Sequence, residues 1–316
     1  METSIIIPTL NDSEIYHCLE EIIKTFPKKT SKNKEILVVN DKNSSKNYSR
    51  ELKNFCKKKK VRYFQSEKPG ASSNRNLGMK RSKGKNILFI DSDCFPEKNW
   101  ITEMEKGLIY SDLVEGKVIY ASKKKPLFDR MVENKNTKNR FLTANLGMKR
   151  KVAESLKFDD RFIVFREDTD FGLSAIEKGF KASFLEKAIV FHKKSRFTVK
   201  KFILERKRYI GEPLLFKKHK SNPLLKKHIT YIWRIVYPLE LITLLLFFIM
   251  LFFNPLISLV LYFIPGFVYN LKGYLIQGRN FSLKDSLFTL FLIPLTMFVK
   301  RIYIWKGAIK FKFFLI

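Results

Sequence analysis

Short apolar runs alternate with amphipathic stretches through residues 1–200, and long apolar runs take over after residue 230. The runs at 4–8, 35–40 and 87–90 are almost continuously aliphatic, which suits strands buried on both faces of a mostly parallel sheet. Weaker strand patterns lie at 61–65, 113–120 and 182–190. Between the first two strands, Ile15, Leu19, Ile22 and Ile23 recur at helical spacing within 14–25. Further helices are expected at 44–60, 73–81, 98–110, 149–156 and 171–178, the last stopped by Gly179. Strands alternating with helices predict an α/β fold. Segment 122–140 is Lys-rich and aperiodic, so it reads as a mobile loop or a solvated insertion.

The apolar block 231–276 is too long for a single membrane crossing, which takes about 20 residues. Asn254-Pro255 is a turn signal at its middle, so spans are expected at about 231–253 and 255–276. Tyr231, Trp233, Arg234 and Tyr237 would form the interfacial belt of the first span. Glu240 falls inside that span, where Lys272 lies at a depth to pair with it, unless the span begins later and leaves Glu240 in the interface. A third apolar segment, about 286–305, contains Pro294 and carries or precedes Lys300, Arg301, Lys306, Lys310 and Lys312. Crossing would put those charges outside, against the positive-inside rule, so an interfacial course is favoured over a third span. Before the block, 198–209 reads as a basic amphipathic helix and 217–227 as a lysine run. Together 201–230 form a juxtamembrane segment suited to anionic headgroups, or else a solvated face.

Charge sharpens this picture. Lys and Arg number 61 against 30 Asp and Glu, a formal charge of +31. Such an excess implies an anionic partner: nucleic acid, an anionic membrane surface or a phosphorylated substrate. A nucleic-acid-binding protein would have no use for the apolar tail, so a membrane is the better partner. Cys18, Cys56 and Cys94 show neither paired nor metal-type spacing, which places the catalytic part in a reducing compartment. Met1-Glu-Thr-Ser runs straight into a strand pattern without a basic leader, so no signal peptide is expected.

Candidate chemistry begins at Asp91 and Asp93, directly after the apolar run 87–90. Two carboxylates one residue apart repel each other, and a divalent cation such as Mg²⁺ or Mn²⁺ removes that cost. A solvated Asp-Ser-Asp turn is the alternative. Asp41, Glu167-Asp168 and His192 also fall near carboxyl ends of expected strands, where open α/β sheets bind ligands.

Six stretches then match one pattern in order. They are Ile-Ile-Ile-Pro-Thr-Leu-Asn at 5–11, Val-Val-Asn-Asp at 38–41 and Gly-Ala-Ser-Ser-Asn-Arg-Asn-Leu-Gly at 70–78. Asp-Ser-Asp at 91–93, Thr-Ala-Asn-Leu-Gly at 143–147 and Arg-Glu-Asp-Thr-Asp-Phe-Gly at 166–172 complete them. Over about residues 3–200 the chain resembles the family 2 glycosyltransferases of the Rossmann-like GT-A fold. The resemblance implies a GT-A catalytic domain at 1–200, followed by the basic segment 201–230 and a helical membrane region at 231–316. It implies Asp93 as first metal ligand, Asp91 on metal or ribose, and His192 completing the metal shell. Thr9 and Asp41 would lie around the base and ribose of a nucleotide-sugar donor, and Arg75 on the nucleotide or its phosphates. Asp168 would be the base that deprotonates the acceptor, with Glu167 as second choice, while Asp170 orients the following helix. Asn145 and Arg208 would lie on the sugar or acceptor side.

Two departures bear on function. Asn40-Asp41 stands where the pattern has two acids, which leaves nucleotide identity open. Glu205-x-x-Arg208-Tyr209 matches the Gln-x-x-Arg-Trp of processive members only at Arg208, which argues for adding one sugar rather than polymerising. No glycine-rich loop follows the first strand, against a nucleotidyltransferase or a dinucleotide oxidoreductase. The expectation is a multi-pass membrane enzyme with its catalytic domain in the cytoplasm. It would move one sugar, with inversion, from a nucleotide-sugar to a lipid-linked or glycan acceptor with Mn²⁺ or Mg²⁺. A processive synthase and a non-catalytic basic scaffold are the competing readings.

Overall fold

A computed structural model describes residues 2–26, 33–134, 140–162, 165–193, 195–196, 198–225 and 237–314. The chain forms two units: one made of Met1–Ala121 and Val132–Lys193, the other of Ser122–Met131 and Lys194–Ile316. Segment 122–140 is therefore shared between them, since its strand β7 (Asp129–Arg130) pairs antiparallel with β10 (Ser195–Arg196) in the second unit.

The first unit holds one eight-stranded mixed sheet. Its strands are β1 (Thr3–Thr9), β2 (Lys34–Asn40), β3 (Arg62–Gln65), β4 (Asn86–Phe89), β5 (Cys94–Pro96), β6 (Leu113–Tyr120), β8 (Leu146–Lys149) and β9 (Ala182–His192). Their order is β3-β2-β1-β4-β8-β6-β9-β5. The pairs β1–β2, β1–β4, β2–β3 and β6–β9 are parallel; β8 runs antiparallel to both neighbours, and β5 antiparallel to β9. The aliphatic runs of β1, β2 and β4 are buried along their length, which explains why they read as unbroken apolar stretches. Helix α1 (Ile15–Lys24) buries Ile15, Cys18, Leu19 and Ile22, one stripe at 3.6-residue spacing. Helix α2 (Lys46–Lys58) is capped by Ser45, whose hydroxyl accepts from the Tyr48 N–H at 3.3 Å. Helices α3 (Ala71–Arg81), α4 (Trp100–Tyr110), α5 (Arg150–Ser155) and α6 (Glu167–Glu177) complete the unit.

Two outcomes differ from the sequence reading here. Helix α6 starts at Glu167, four residues before the expected 171, so Glu167, Asp168 and Asp170 all lie in its first turn. Acids are favoured at that end of a helix dipole. Strand β9 runs on to His192, because β5 pairs it there and sets Cys94 opposite His192. Of the run leading into the acid cluster, residues 163 and 164 lie outside the described residues.

The second unit is helical: α7 (Val199–Leu204), a 3₁₀ segment (Glu205–Gly211), α8 (Glu212–His219), α9 (Tyr237–Phe253), α10 (Pro255–Leu275) and α11 (Leu283–Phe311). The single helix expected at 198–209 changes type after Leu204, ahead of Gly211 and of Pro213, which has no N–H to continue an α-helix. Asn254 caps α10 by accepting from the Ile257 N–H at 3.2 Å, as its place before Pro255 leads one to expect. Among the described residues, α10 and α11 are long and apolar enough to cross a membrane, and α9 is a shorter apolar helix. Tyr231, Trp233 and Arg234 lie outside the described residues. Lys272 is not the partner of Glu240. The Lys300 ammonium of α11 donates to Glu240 at 2.6 Å, a pairing sixty residues along the chain that hairpin register does not reveal.

Candidate active site

The site is built at the carboxyl ends of β1, β2 and β4. Thr9 ends β1, Asp41 follows β2, and the Asp91-Ser92-Asp93 turn follows β4 before the chain enters β5. Asp41 is buried and works inward: its carboxylate accepts from the Asn43 N–H at 2.8 Å, the Gly70 N–H at 2.7 Å and the Asn74 amide at 3.2 Å. Gly70 has φ of +106°, a conformation that strains any side chain, so the loop entering α3 needs a glycine there. Thr9 shares a hydrogen bond of 2.8 Å with the Tyr48 hydroxyl, which also donates to the Asp12 carbonyl at 2.9 Å.

Arg75 is the hub. Its side chain is buried. One guanidinium nitrogen donates to Glu167 at 3.0 Å and another to Asp91 at 3.3 Å. Its plane also stands 5.7 Å from the Phe158 ring centre. Burial works against its charge, but Asp91, Glu167 and Asp168 more than offset that and raise its pKa. Arg75 therefore ties the turn after β4 to the first turn of α6. Removing one partner from such a buried cluster is costly, so Arg75→Met is expected to destabilise the fold by about 3–5 kcal/mol. Denaturant unfolding of the detergent-solubilised chain checks this; a loss under about 1 kcal/mol would mean the pairing is not structural.

On α6, Asp168 is half-buried and accepts from the Thr169 N–H at 2.6 Å. Desolvation, followed by the Glu167 charge, pushes its carboxyl up to about 7 against the pull of Arg75. Arg166, just before α6, holds φ of +79°, rare for a side-chain-bearing residue and a form of strain that clusters at functional sites. Three buried polar atoms in this region, Asn74 Oδ1, Arg75 Nε and Glu167 Oε2, have no hydrogen-bond partner among the described residues. Buried atoms of that kind call for a ligand or water.

Next to the hub, Asp93, Cys94 and His192 bring ligand atoms within 4.8 Å of one another. His192 Nε2 stands 3.6 Å from Asp93, while its Nδ1 meets the Lys193 carbonyl at 3.1 Å. A proton on Nδ1 satisfies that carbonyl and leaves the Nε2 lone pair facing Asp93, the tautomer a metal ligand requires. Burial, with Asp91 and Asp93 adding to it, holds the Cys94 thiol well above its usual range, so it stays protonated. The carboxylate oxygen suits Mn²⁺ or Mg²⁺, and the imidazole nitrogen tips the pair toward a transition metal such as Mn²⁺. Asp91 is not part of this cluster and turns to Arg75 instead.

Two of the expected residues are held by other partners. Asn145 is fully buried; its oxygen accepts from the Trp100 indole at 2.8 Å, and its amide donates to the carbonyls of Lys117 and Ala188. It holds strands together. Arg208 belongs to the second unit and pairs with Glu205 at 3.4 Å. Conversely, sequence reading passed over Asn74, Tyr48 and Cys94. Asn74 sits inside the 70–78 motif, next to Arg75, and that adjacency was the available signal.

Residues 4–150 match the family model for glycosyl transferase family 2. An uncharacterised glycosyltransferase of Rickettsia bellii is 42% identical over 93 residues, 29% of this chain and 13% of that protein. The matches to three such Rickettsia proteins span only 13–15% of their lengths. Glycosyltransferase AglE of Haloferax volcanii is 26% identical over 207 residues, 60% of this chain and 66% of that one. The solved mannosyltransferase PcManGT of Pyrobaculum calidifontis, in complex with GDP-Man and Mn²⁺, has a TM-score of 0.64 at 12% identity, covering 96% of this chain and 87% of that one. At such identity the likeness establishes a shared fold.

Proposed function

Because the chain belongs to glycosyl transferase family 2 and has the GT-A fold, we propose that it moves one sugar, with inversion, from a nucleotide-sugar to a lipid-linked acceptor at a membrane. The observation that carries the proposal is the Arg75 bridge. Through Asp91 and Glu167 it brings a carboxylate–imidazole pair, Asp93 and His192, together with a carboxyl tuned to about 7, Asp168.

A divalent cation held by Asp93 and His192 would neutralise the donor diphosphate as the glycosidic bond breaks. Asp168 accepts the acceptor's hydroxyl proton as that oxygen attacks the anomeric carbon. One base opposite the leaving group gives inversion, as in the separated carboxylates of inverting glycosidases. Arg75 keeps Glu167 and Asp91 in place and limits how far the Asp168 pKa rises. GDP-Man is the donor printed for PcManGT, which supports the donor class here without choosing the nucleotide. The apolar helices and the charge of +31 support a lipid-linked acceptor reached at an anionic surface, with the basic unit on the cytoplasmic side.

The test is turnover of a nucleotide-sugar panel by detergent-solubilised protein with Mn²⁺ or Mg²⁺, with and without membrane lipid extract. Consumption of one donor, dependent on cation and on lipid extract, is expected. A water-soluble acceptor working equally well would remove the lipid from the proposal. A base must be ionised to act, so kcat/KM is expected to rise between about pH 6 and about pH 8 and then level. Its midpoint should lie near the Asp168 value of about 7. A flat profile across that range would take Asp168 out of the role.

A further inference from the structure

Helix α11 has two sides suited to different solvents. Asp285, Thr289, Ile293, Thr296, Lys300 and Ile304 succeed one another every three or four residues and are buried. On the other side Leu287, Phe291, Leu295, Phe298, Trp305 and Ile309 form an exposed apolar stripe about 33 Å long.

What covers the buried side decides the course of the helix. Ile293 clusters with Phe202 of α7. Gly307 lies against the Ile210 carbonyl of the 3₁₀ segment, where a Cβ would collide with it. The Lys217 ammonium of α8 donates to the Phe311 carbonyl at 2.8 Å. Between Ile293 and Phe311, about 27 Å of helix therefore rests on the layer of α7, the 3₁₀ segment and α8. That layer carries exposed Lys200, Lys201, Lys207, Lys217, Lys218 and Lys220. Six ammonium groups do not enter hydrocarbon. A spanning α11 would drag them in, although its length and hydropathy alone allow a crossing.

We propose that α11 lies in the plane of an anionic bilayer surface, its apolar stripe on the acyl chains and its basic end among the headgroups. The exposed Lys306, Lys310 and Lys312 supply that end. The charge of the chain complements such a surface. The α9–α10 hairpin goes deeper: Phe252, Phe253 and Leu256 at its tip are 88%, 81% and 76% exposed. The inference rests on the membrane reading above. It puts Lys312 and the catalytic unit on one side of the bilayer.

Single-cysteine labelling tests this in whole cells. Lys312→Cys and Glu2→Cys replace exposed residues, while Cys18, Cys56 and Cys94 are buried and give little background. Both variants should react with a membrane-impermeant maleimide only after permeabilisation, with the protein in the membrane fraction. Labelling of Lys312→Cys in intact cells, with Glu2→Cys protected, would overturn the proposal and make α11 a span. In vesicles of anionic lipid and in a Trp233→Phe background, where buried Trp100 is a constant signal, Leu295→Trp with Trp305→Phe should be quenched by lipids brominated near the headgroup as strongly as Trp305 itself. Stronger quenching of Leu295→Trp by bromines near the chain ends would make the segment dip into the core and would equally overturn it. Protein found only in the soluble fraction would remove the membrane reading itself, while the donor assay would still decide the transferase reading.

Discussion

Asp168→Asn is expected to lower kcat by roughly 10²–10⁴-fold, the usual contribution of a positioned general base. The substitution keeps shape and keeps an oxygen to accept from the Thr169 N–H, so the first turn of α6 has no reason to move. What it removes is the ability to take a proton. It also changes stability with a sign that misfolding would not give. The folded carboxyl holds its proton up to about pH 7, whereas the unfolded chain releases it near pH 4. Between those values the native state binds more protons, so this group destabilises the fold progressively as pH rises. The neutral amide escapes that slope. Above pH 7 the variant should melt higher than the parent chain, and near pH 4 the gap should close. Single-turnover transfer at saturating donor, together with thermal melts at both pH values, checks both halves. Transfer within tenfold of the parent would move the base to Glu167. A lower melting temperature at high pH would mean that the Asp168 pKa is not raised.

The parts of this molecule visible in the sequence are those whose environment repeats along the chain. Strands β1, β2 and β4 are covered on both faces, so their central residues are apolar and the run announces itself. Helix α1 meets the core along one stripe and shows it at 3.6-residue spacing. The acids at the strand ends stand out because they break such runs. Hidden were features fixed by partners distant in sequence. Strand β5 has three residues and exists only because β9 is beside it. Strand β8 sits antiparallel between β4 and β6, so Leu-Gly-Met-Lys at 146–149 shows no alternation. Arg75 read as a nucleotide contact only through the family resemblance; the fold reveals that Asp91 and Glu167 occupy it. Asn145 read as a sugar contact through the same resemblance, yet its oxygen meets the Trp100 indole and its NH₂ two strand carbonyls. Polar residues in a motif report conserved chemistry poorly when burial decides whether they face ligand or core.

Asp93→Ala is expected to reduce transfer by about 10³-fold or more, since neutralising a leaving diphosphate supplies several kcal/mol. The local backbone should survive the change. The Asp93 carbonyl, not its carboxylate, accepts the Lys193 N–H at 2.9 Å and so holds the start of β5 against β9. Removing the carboxylate leaves His192 Nε2 without its 3.6 Å neighbour, and one imidazole beside a protonated thiol is a poor cation site. Loss of Mn²⁺ binding, read by electron paramagnetic resonance or calorimetry on the unliganded protein, should therefore accompany the loss of transfer. His192→Ala should weaken binding in the same direction, because its Nδ1 contact with Lys193 already orients the ring for it. Asp91→Asn should act differently. Its partner is Arg75, so the cost should fall mainly on folding stability. If Asp91→Asn instead abolished Mn²⁺ binding while Asp93→Ala kept it, the ligand would have to be reassigned to the first acid of the turn. Arg75 would then have to release that acid when the cation arrives.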